Sequence, residues 1–525
     1  MDEKGYLIIV LNTHMPYVAN PAVEYPEQET WLYEAVTDCY LPLIGRLSRL
    51  VQENVQFRIS LSLTPCLVDM LANPLIQERC SRYLKDRVLL AEQEMKRLGS
   101  ESPLFPLARM YRDRFLSLSA IYNETWNRDL VTAFKFLKAS GKVDLLASAA
   151  THAYLPLWEL SPRLVNLQLK VGAQQYRHYF GGQPQGIWLP ECGFYPGLDA
   201  LLEANGYKYC YLDAHGVLNA YPRPRYGVYA PVHCPAGVAA FGRDWMSHDL
   251  VWLKDRGYPG DAHYLNYDRD LGRELAPDAL FPFTHQNKPC ETGIKYYRNG
   301  WVWGSDIYHP ESALAQCNRH ASDFIARCQA EVEHLYGQLG RKPVLVALFD
   351  TEHFGHWWRE GPDWLDLTIR KMAYDQNTVL LTSGRDYLTA YPTNQVAMPS
   401  MSSWGYQGYS ETWLMGRNHW IYPALYDAAS RFEALLQRFP QPSGDIRLAL
   451  NQYLRELMLA QSSDWAFILH QETAMEYATQ KVRMALEQMK TIETMLGSAA
   501  PDHAWLRQAR SDNGLFPDLD LLEFY

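Results

Sequence analysis

Two acidic residues stand in settings suited to covalent chemistry on a neutral substrate. Glu191 lies in the stretch Ile187-Trp188-Leu189-Pro190-Glu191-Cys192-Gly193-Phe194-Tyr195, a single carboxylate among aromatic side chains. Apolar walls make ionisation costly and leave such a carboxylate poorly solvated, which favours nucleophilic attack. Asp350 follows the apolar run Val344 to Phe349, and Glu352, His353 and His356 come directly after it, ahead of Trp357 and Trp358. Cleaving a glycosidic bond needs two carboxyl groups on either side of it, one as acid and one as nucleophile or base. The histidines raise the alternative of a metal, but the sequence has neither an HxxxH nor an HExxH spacing, so no catalytic metal and no cofactor are expected.

Other residues have the types to hold a sugar. His14 and His152 each follow an apolar run; each is either a structural histidine or a donor to sugar hydroxyls in a shared pocket. Segment 402–420, Ser-Ser-Trp-Gly-Tyr-Gln-Gly-Tyr-Ser-Glu-Thr-Trp-Leu-Met-Gly-Arg-Asn-His-Trp, brings Trp404, Trp413 and Trp420. Its glycines and serines break helical periodicity, so the rings read as aromatic subsites for a glucan chain.

These residues need a frame that gathers strand ends. Short apolar runs cover 6–11, 57–63, 143–150, 187–189, 207–212, 344–349 and 378–382, each giving way to polar residues. Such runs read as buried parallel strands. Separated by longer segments, they predict a (β/α) barrel of the α/β class with its chemistry at the strand C-terminal ends, although an open doubly wound sheet gives a similar pattern. Residues 66–140 predict an inserted helical lobe, and 215–315 a loop-rich excursion able to wall a site. The catalytic unit is expected over 1–395. From 396 to 525 apolar residues recur at helical spacing, which predicts a C-terminal helical domain.

Composition narrows the partners. The 525 residues carry a net charge of -10 with a pI near 5.9, which disfavours nucleic acid and anionic membrane surfaces. No apolar run is long enough to span a bilayer, and the N-terminus has no basic region preceding an apolar one. The nine scattered cysteines form no CxxC pair, which points to a reducing compartment and a cytoplasmic location. Aromatic residues make up 13% of the chain; they serve a large core or stack on sugar faces. The oligomeric state is not legible.

The motifs together resemble glycoside hydrolase family 57, and within it the α-1,4-glucan branching enzymes. His14-Met15-Pro16-Tyr17 is similar to the first motif and Thr151-His152-Ala153-Tyr154-Leu155-Pro156 to the second. Trp188-Leu189-Pro190-Glu191-Cys192-Gly193-Phe194 resembles the third. Phe349-Asp350-Thr351-Glu352, continued by Gly355-His356-Trp357-Trp358, resembles the fourth. Ser402-Ser403-Trp404-Gly405 resembles the start of the fifth, and Gln461-Ser462-Ser463-Asp464-Trp465 also looks like this subgroup. The resemblance implies a (β/α)7 barrel, no metal, and a retaining double displacement on an α-1,4-glucan, with Glu191 as nucleophile and Asp350 as acid/base. It also implies a glucan groove shaped by Trp31, Trp252, Trp404 and Trp413, with Asp464 reaching in from the helical domain.

Three positions depart from the family pattern. Asn12 stands where a histidine often precedes His14, and Gly405-Tyr406-Gln407-Gly408 replaces a Gly-Glu continuation. Branching members can hold the acceptor with a tyrosine on a mobile loop; the corresponding stretch, placed at 233–251, contains none, with Trp245 as a substitute. The alternatives are an α-amylase or 4-α-glucanotransferase on the same scaffold, a non-catalytic glucan-binding protein, or a metal-dependent polysaccharide deacetylase on a related barrel.

Overall fold

In the computed structural model, which describes residues 3–300, 306–498 and 502–524, each apolar run becomes a strand. β1 (Gly5–Thr13), β2 (Ile59–Leu63), β3 (Val143–Ser148), β4 (Gly186–Trp188) and β5 (Tyr209–Leu212) lie side by side in that order, all parallel. β6 (Val232–His233) forms an antiparallel hairpin with β7 (Ala239–Gly242), and β7 runs parallel to β5. β8 (Val344–Asp350) lies along β1 from Tyr6 to Asn12, with Ile8 opposite Val346 and Asn12 opposite Asp350. Just past β7, the Asp244 N–H donates to the Val346 carbonyl of β8 (2.8 Å) and joins the two ends of the row. Seven parallel strands thus form a (β/α)7 barrel.

The alternation of side chains along β1 explains the two layers of the core. Ile8 and Val10 point inward and pack with Val344, Val346, Leu348, Trp188, Tyr209 and Phe241. Leu7, Ile9 and Leu11 point outward into the larger core beneath the helices. Both faces are apolar because both are buried, so the strand reads as one continuous run.

The strand set differs from the sequence reading in two places. β7 lies inside the stretch read as a loop-rich excursion; Ala239-Ala240-Phe241-Gly242 has no β-branched residue to mark it. β9 (Val379–Leu381) was expected as a barrel strand, yet it pairs only with Gly5–Leu7 and leaves the barrel count to β7.

Helices Pro65–Ala72, Pro74–Leu98, Phe105–Ala120 and Leu130–Ala139 form the insertion between β2 and β3. The longest starts where its sequence dictates: Asn73 accepts from the Leu75 and Ile76 amides, and Pro74 fits the first turn. The C-terminal helices are Ile421–Arg438, Gly444–Ala460, Ser463–Gln471, Met475–Ser498 and His503–Asp512. Leu450, Tyr453, Leu454 and Leu457 recur at helical spacing and are fully buried, with the Tyr453 ring stacked on Phe432. No helix among the described residues is long and apolar enough to cross a membrane.

Candidate active site

The turn after β4 presents Glu191 in a conformation that side chains resist. Glu191 has φ 62° and Cys192 φ 51°, two successive left-handed residues without glycine. Each costs about 1–3 kcal/mol unless its surroundings hold it. Here the Cys192 amide donates to Leu189, the Gly193 amide to Pro190, and the Trp404 amide to the Glu191 carbonyl. Phe194 and Ser402 exchange two further backbone bonds, so segment 402–404 clamps the turn from outside the barrel.

Both oxygens of Glu191 accept hydrogen bonds. The Trp404 indole N–H donates to Oε2 (2.8 Å) and the Ser463 hydroxyl to Oε1 (2.9 Å). Burial raises the Glu191 carboxyl to about 7; these two donors oppose the shift, and the nearby Asp350 charge adds to it. Ser463 has one proton, which goes to the carboxylate, so its oxygen must accept from His152 Nδ1 (3.0 Å). His152 is then neutral with a lone pair on Nε2, and that atom is buried without a partner among the described residues. Burial, aided by the positive charge of His14, holds His152 well below the usual histidine range. The expected donor to a sugar is therefore corrected: the free nitrogen of His152 is an acceptor.

His14 is wired differently. Its Nδ1 bonds to Thr64 Oγ1 (3.0 Å) and its Nε2 to both Asp464 oxygens (3.0 Å each). Burial works against the charged ring, but Asp464 prevails and lifts His14 well above the usual range. Asp464 is likewise penalised by burial yet held below the ordinary carboxylate value by His14. Both ring nitrogens of His14 are spent within the protein, so it serves as a buried cation rather than as a free donor.

Asp350 ends β8 beside Asn12, its register partner in β1. The Ser62 hydroxyl donates to Asn12 Oδ1 (2.7 Å), which turns the amide nitrogen of Asn12 toward Asp350 Oδ1 (3.0 Å). Among the described residues Oδ2 has no such donor, and it is the oxygen left to carry a proton. Burial raises Asp350 to about 6, against the Asn12 bond. The departure at Asn12 is thus a positioning contact. Glu352, two residues on, accepts from Tyr40 (2.5 Å) and from the His14 amide (3.1 Å). Burial, followed by the Asp350 charge, raises it to about 8.

The tryptophans divide. Trp404 packs edge-on against Trp188 and lies 6.3 Å from Trp252, which also contacts His353. Trp31 sits farther out, edge-on to Tyr477, which packs on Trp465 beside Asp464. Trp413 is corrected: it is 1% exposed and stacked on Tyr154 at 4.2 Å, so a protein ring takes the face a sugar would need. Stretch 233–251 is corrected as well. It holds β7 and most of the helix Trp245–Trp252, with Trp245 exposed at the first turn, and is not a free loop.

His14, His152 and Asp464 each offer a ligand atom within 4.8 Å of the others. The two rings lie face to face, however, so their in-plane lone pairs run side by side and do not converge as a metal requires. Sequence reasoning missed Tyr40, which no local pattern marks, and gave no role to Glu352 or Ser463, although both lie within quoted motifs.

A family description, glycosyl hydrolase family 57, matches residues 8–268, and a second, the C-terminal part of 1,4-alpha-glucan branching enzyme, matches 424–524. The chain is 28% identical to a 1,4-alpha-glucan branching enzyme of Thermococcus kodakarensis, over 91% of this chain and 72% of the relative. It is also 28% identical to a probable 1,4-alpha-glucan branching enzyme of Mycobacterium tuberculosis, over 98% and 97%. Among solved structures, the alpha-amylase AmyC of Thermotoga maritima superposes with a TM-score of 0.91 at 33% identity, covering 99% of both chains. The GH57-type branching enzyme of Pyrococcus horikoshii superposes with 0.88 at 27%, covering 99% and 97%.

Proposed function

The chain belongs to glycosyl hydrolase family 57, and from that premise we propose that it is a 1,4-α-glucan branching enzyme acting through Glu191 and Asp350. It breaks an α-1,4 bond and rejoins the severed chain to a glucan 6-hydroxyl. The observation that carries the mechanism is the unequal wiring of the two carboxyls. Burial raises Glu191 to about 7 and Asp350 to about 6, so the two carboxyls hold one proton between them; Glu191 has donors on both oxygens, whereas Asp350 has one oxygen without a donor among the described residues, and that oxygen is the one able to carry the proton.

The chemistry follows from that difference. The Glu191 carboxylate attacks the anomeric carbon while Asp350 passes its proton to the departing glycosidic oxygen. The covalent glucosyl-enzyme then meets the acceptor hydroxyl. Asp350, now a base, takes its proton as the oxygen replaces Glu191, and retention results. Catalysis is assigned to the unit formed by residues 1–395, with Trp404 and Asp464 reaching in from 396–525. Trp252 and Trp31 extend the groove that receives an α-1,4-glucan. All nine cysteines are unpaired, which supports a cytoplasmic setting.

The second reading is hydrolysis, favoured by the likeness to the Thermotoga alpha-amylase. Incubation with amylose separates the two. New α-1,6 linkages counted by NMR, with few new reducing ends, support branching; reducing ends without branches support the amylase. Glu191→Gln is expected to abolish both products, and an active variant would overturn the assignment of the nucleophile.

A further inference from the structure

We propose that Ser463, the first residue of a C-terminal helix, is a positioning residue that holds the Glu191 carboxylate and fixes the tautomer of His152. The inference rests on the assignment of Glu191 as nucleophile. It concerns a residue 272 positions away in sequence.

Three contacts converge on this serine, and a fourth ties down the residue before it. Its hydroxyl donates to Glu191 Oε1 (2.9 Å) and accepts from His152 Nδ1 (3.0 Å). Its amide donates to the His152 carbonyl (3.0 Å), and the preceding Ser462 bridges to Ala153 in antiparallel fashion. His152 has φ 57°, so this backbone pairing also supports a strained residue on the barrel side. Ser463 is 1% exposed.

The direction of each bond follows from proton counting. A carboxylate only accepts, and a hydroxyl has one proton to give. The chain therefore runs from His152 Nδ1–H to Ser463 O–H to Glu191, with every donor pointing toward the nucleophile. This has two effects on the reaction. A donor on Oε1 favours the ionised carboxylate needed for attack, and it stabilises the same carboxylate when it departs in the second displacement. It also keeps the lone pair of His152 Nε2 turned away from Ser463. The barrel supplies the nucleophile, and the C-terminal helix sets its acidity.

The test compares Ser463→Ala and Ser463→Cys with the wild-type enzyme. The readouts are the pH profile of kcat/KM for amylose and the melting temperature. Loss of the donor raises the Glu191 pKa, so the acidic limb of the profile moves up by about one pH unit, the scale of a hydrogen bond to a charged group. At the optimum, kcat falls more than KM changes. The thiol is a weaker donor of similar volume and gives an intermediate shift; it also carries the test if the alanine variant melts below the assay temperature. Ser463→Thr, which retains the hydroxyl, restores the limb. An acidic limb that stays in place in the folded alanine or cysteine variant overturns the proposal. Inactive Glu191→Gln alongside an unmoved limb discards only the role of Ser463, whereas active Glu191→Gln discards the assignment beneath it.

Discussion

His14 and His152 stack face to face, with ring centroids 3.7 Å apart and planes 15° from parallel, yet the first is held well above the usual histidine range and the second well below it. Asp464 charges the first ring. Burial and that same charge keep the second neutral. Nearly identical side chains thus become a cation and a lone-pair acceptor through one carboxylate on a different part of the chain.

Removing that carboxylate tests the arrangement. His14 is raised, so its stabilisation is complete below about 6.5 and is lost as the pH climbs through its folded value. Asp464 is lowered, so its share is present above about 3.8 and is lost as the pH falls through its folded value. Asp464→Asn removes the charge that holds the proton on His14, so the ring gives it up and the ion pair is lost, which should cost a few kcal/mol in denaturant melts near neutrality. Unchanged stability at pH 7 would show that His14 is neutral.

Glu352 makes the opposite prediction. Its carboxyl is raised from 4.5 to about 8, so the folded protein keeps a proton that the unfolded chain releases. Stability therefore drains away as the pH rises from about 4.5 to 8. Glu352→Gln removes that loss. The variant should match the wild type near pH 4.5 and exceed it by a few kcal/mol at pH 8 in melting experiments. Parallel curves at every pH would contradict the raised value.

Trp404 and Trp413 should separate cleanly. Trp413→Ala empties a packed site beneath Tyr154 and should lower stability by about 3–5 kcal/mol. Trp404→Phe keeps the ring against Trp188 but loses the bond to Glu191. It should fold normally and lose roughly tenfold or more in kcat/KM, as expected for one charge-assisted hydrogen bond. A stable Trp413→Ala enzyme with a raised KM would restore Trp413 as a sugar platform.

Gly355 lies in the turn after Asp350 with φ 116°, and a β-carbon there would sit 2.0 Å from the Asp38 carbonyl oxygen. Gly355→Ala should force the loop off the Asp38 backbone. A loss of about 2 kcal/mol or more and a lower kcat are expected. Full activity with an unchanged melting temperature would show that the close approach is dispensable.

The sequence made the strand ends visible because each barrel strand is buried on both faces, and an apolar run then stops at a polar residue. Glu191, Asp350, His14 and His152 all stand at such stops. β7 escaped because Ala-Ala-Phe-Gly has the bulk of a turn, and its strand character comes from the neighbours β5 and β6. Trp413 looked like a platform because composition cannot tell which face of a ring is occupied. The direction of the His152 bond depended on a serine hundreds of positions away, and no spacing rule spans that distance.

The bond from Ser463 to Glu191 also sets an order of events during synthesis. β1 must wait for β8 to emerge before Asn12 meets Asp350, 338 positions later. Even then the nucleophile lacks both its donors: Trp404 follows, and the second is missing until residue 463 has left the ribosome. A growing chain folds its early parts first, so the barrel can assemble around its glucan groove while its chemistry is still incomplete. Activity then arrives late and all at once, with the docking of one helix.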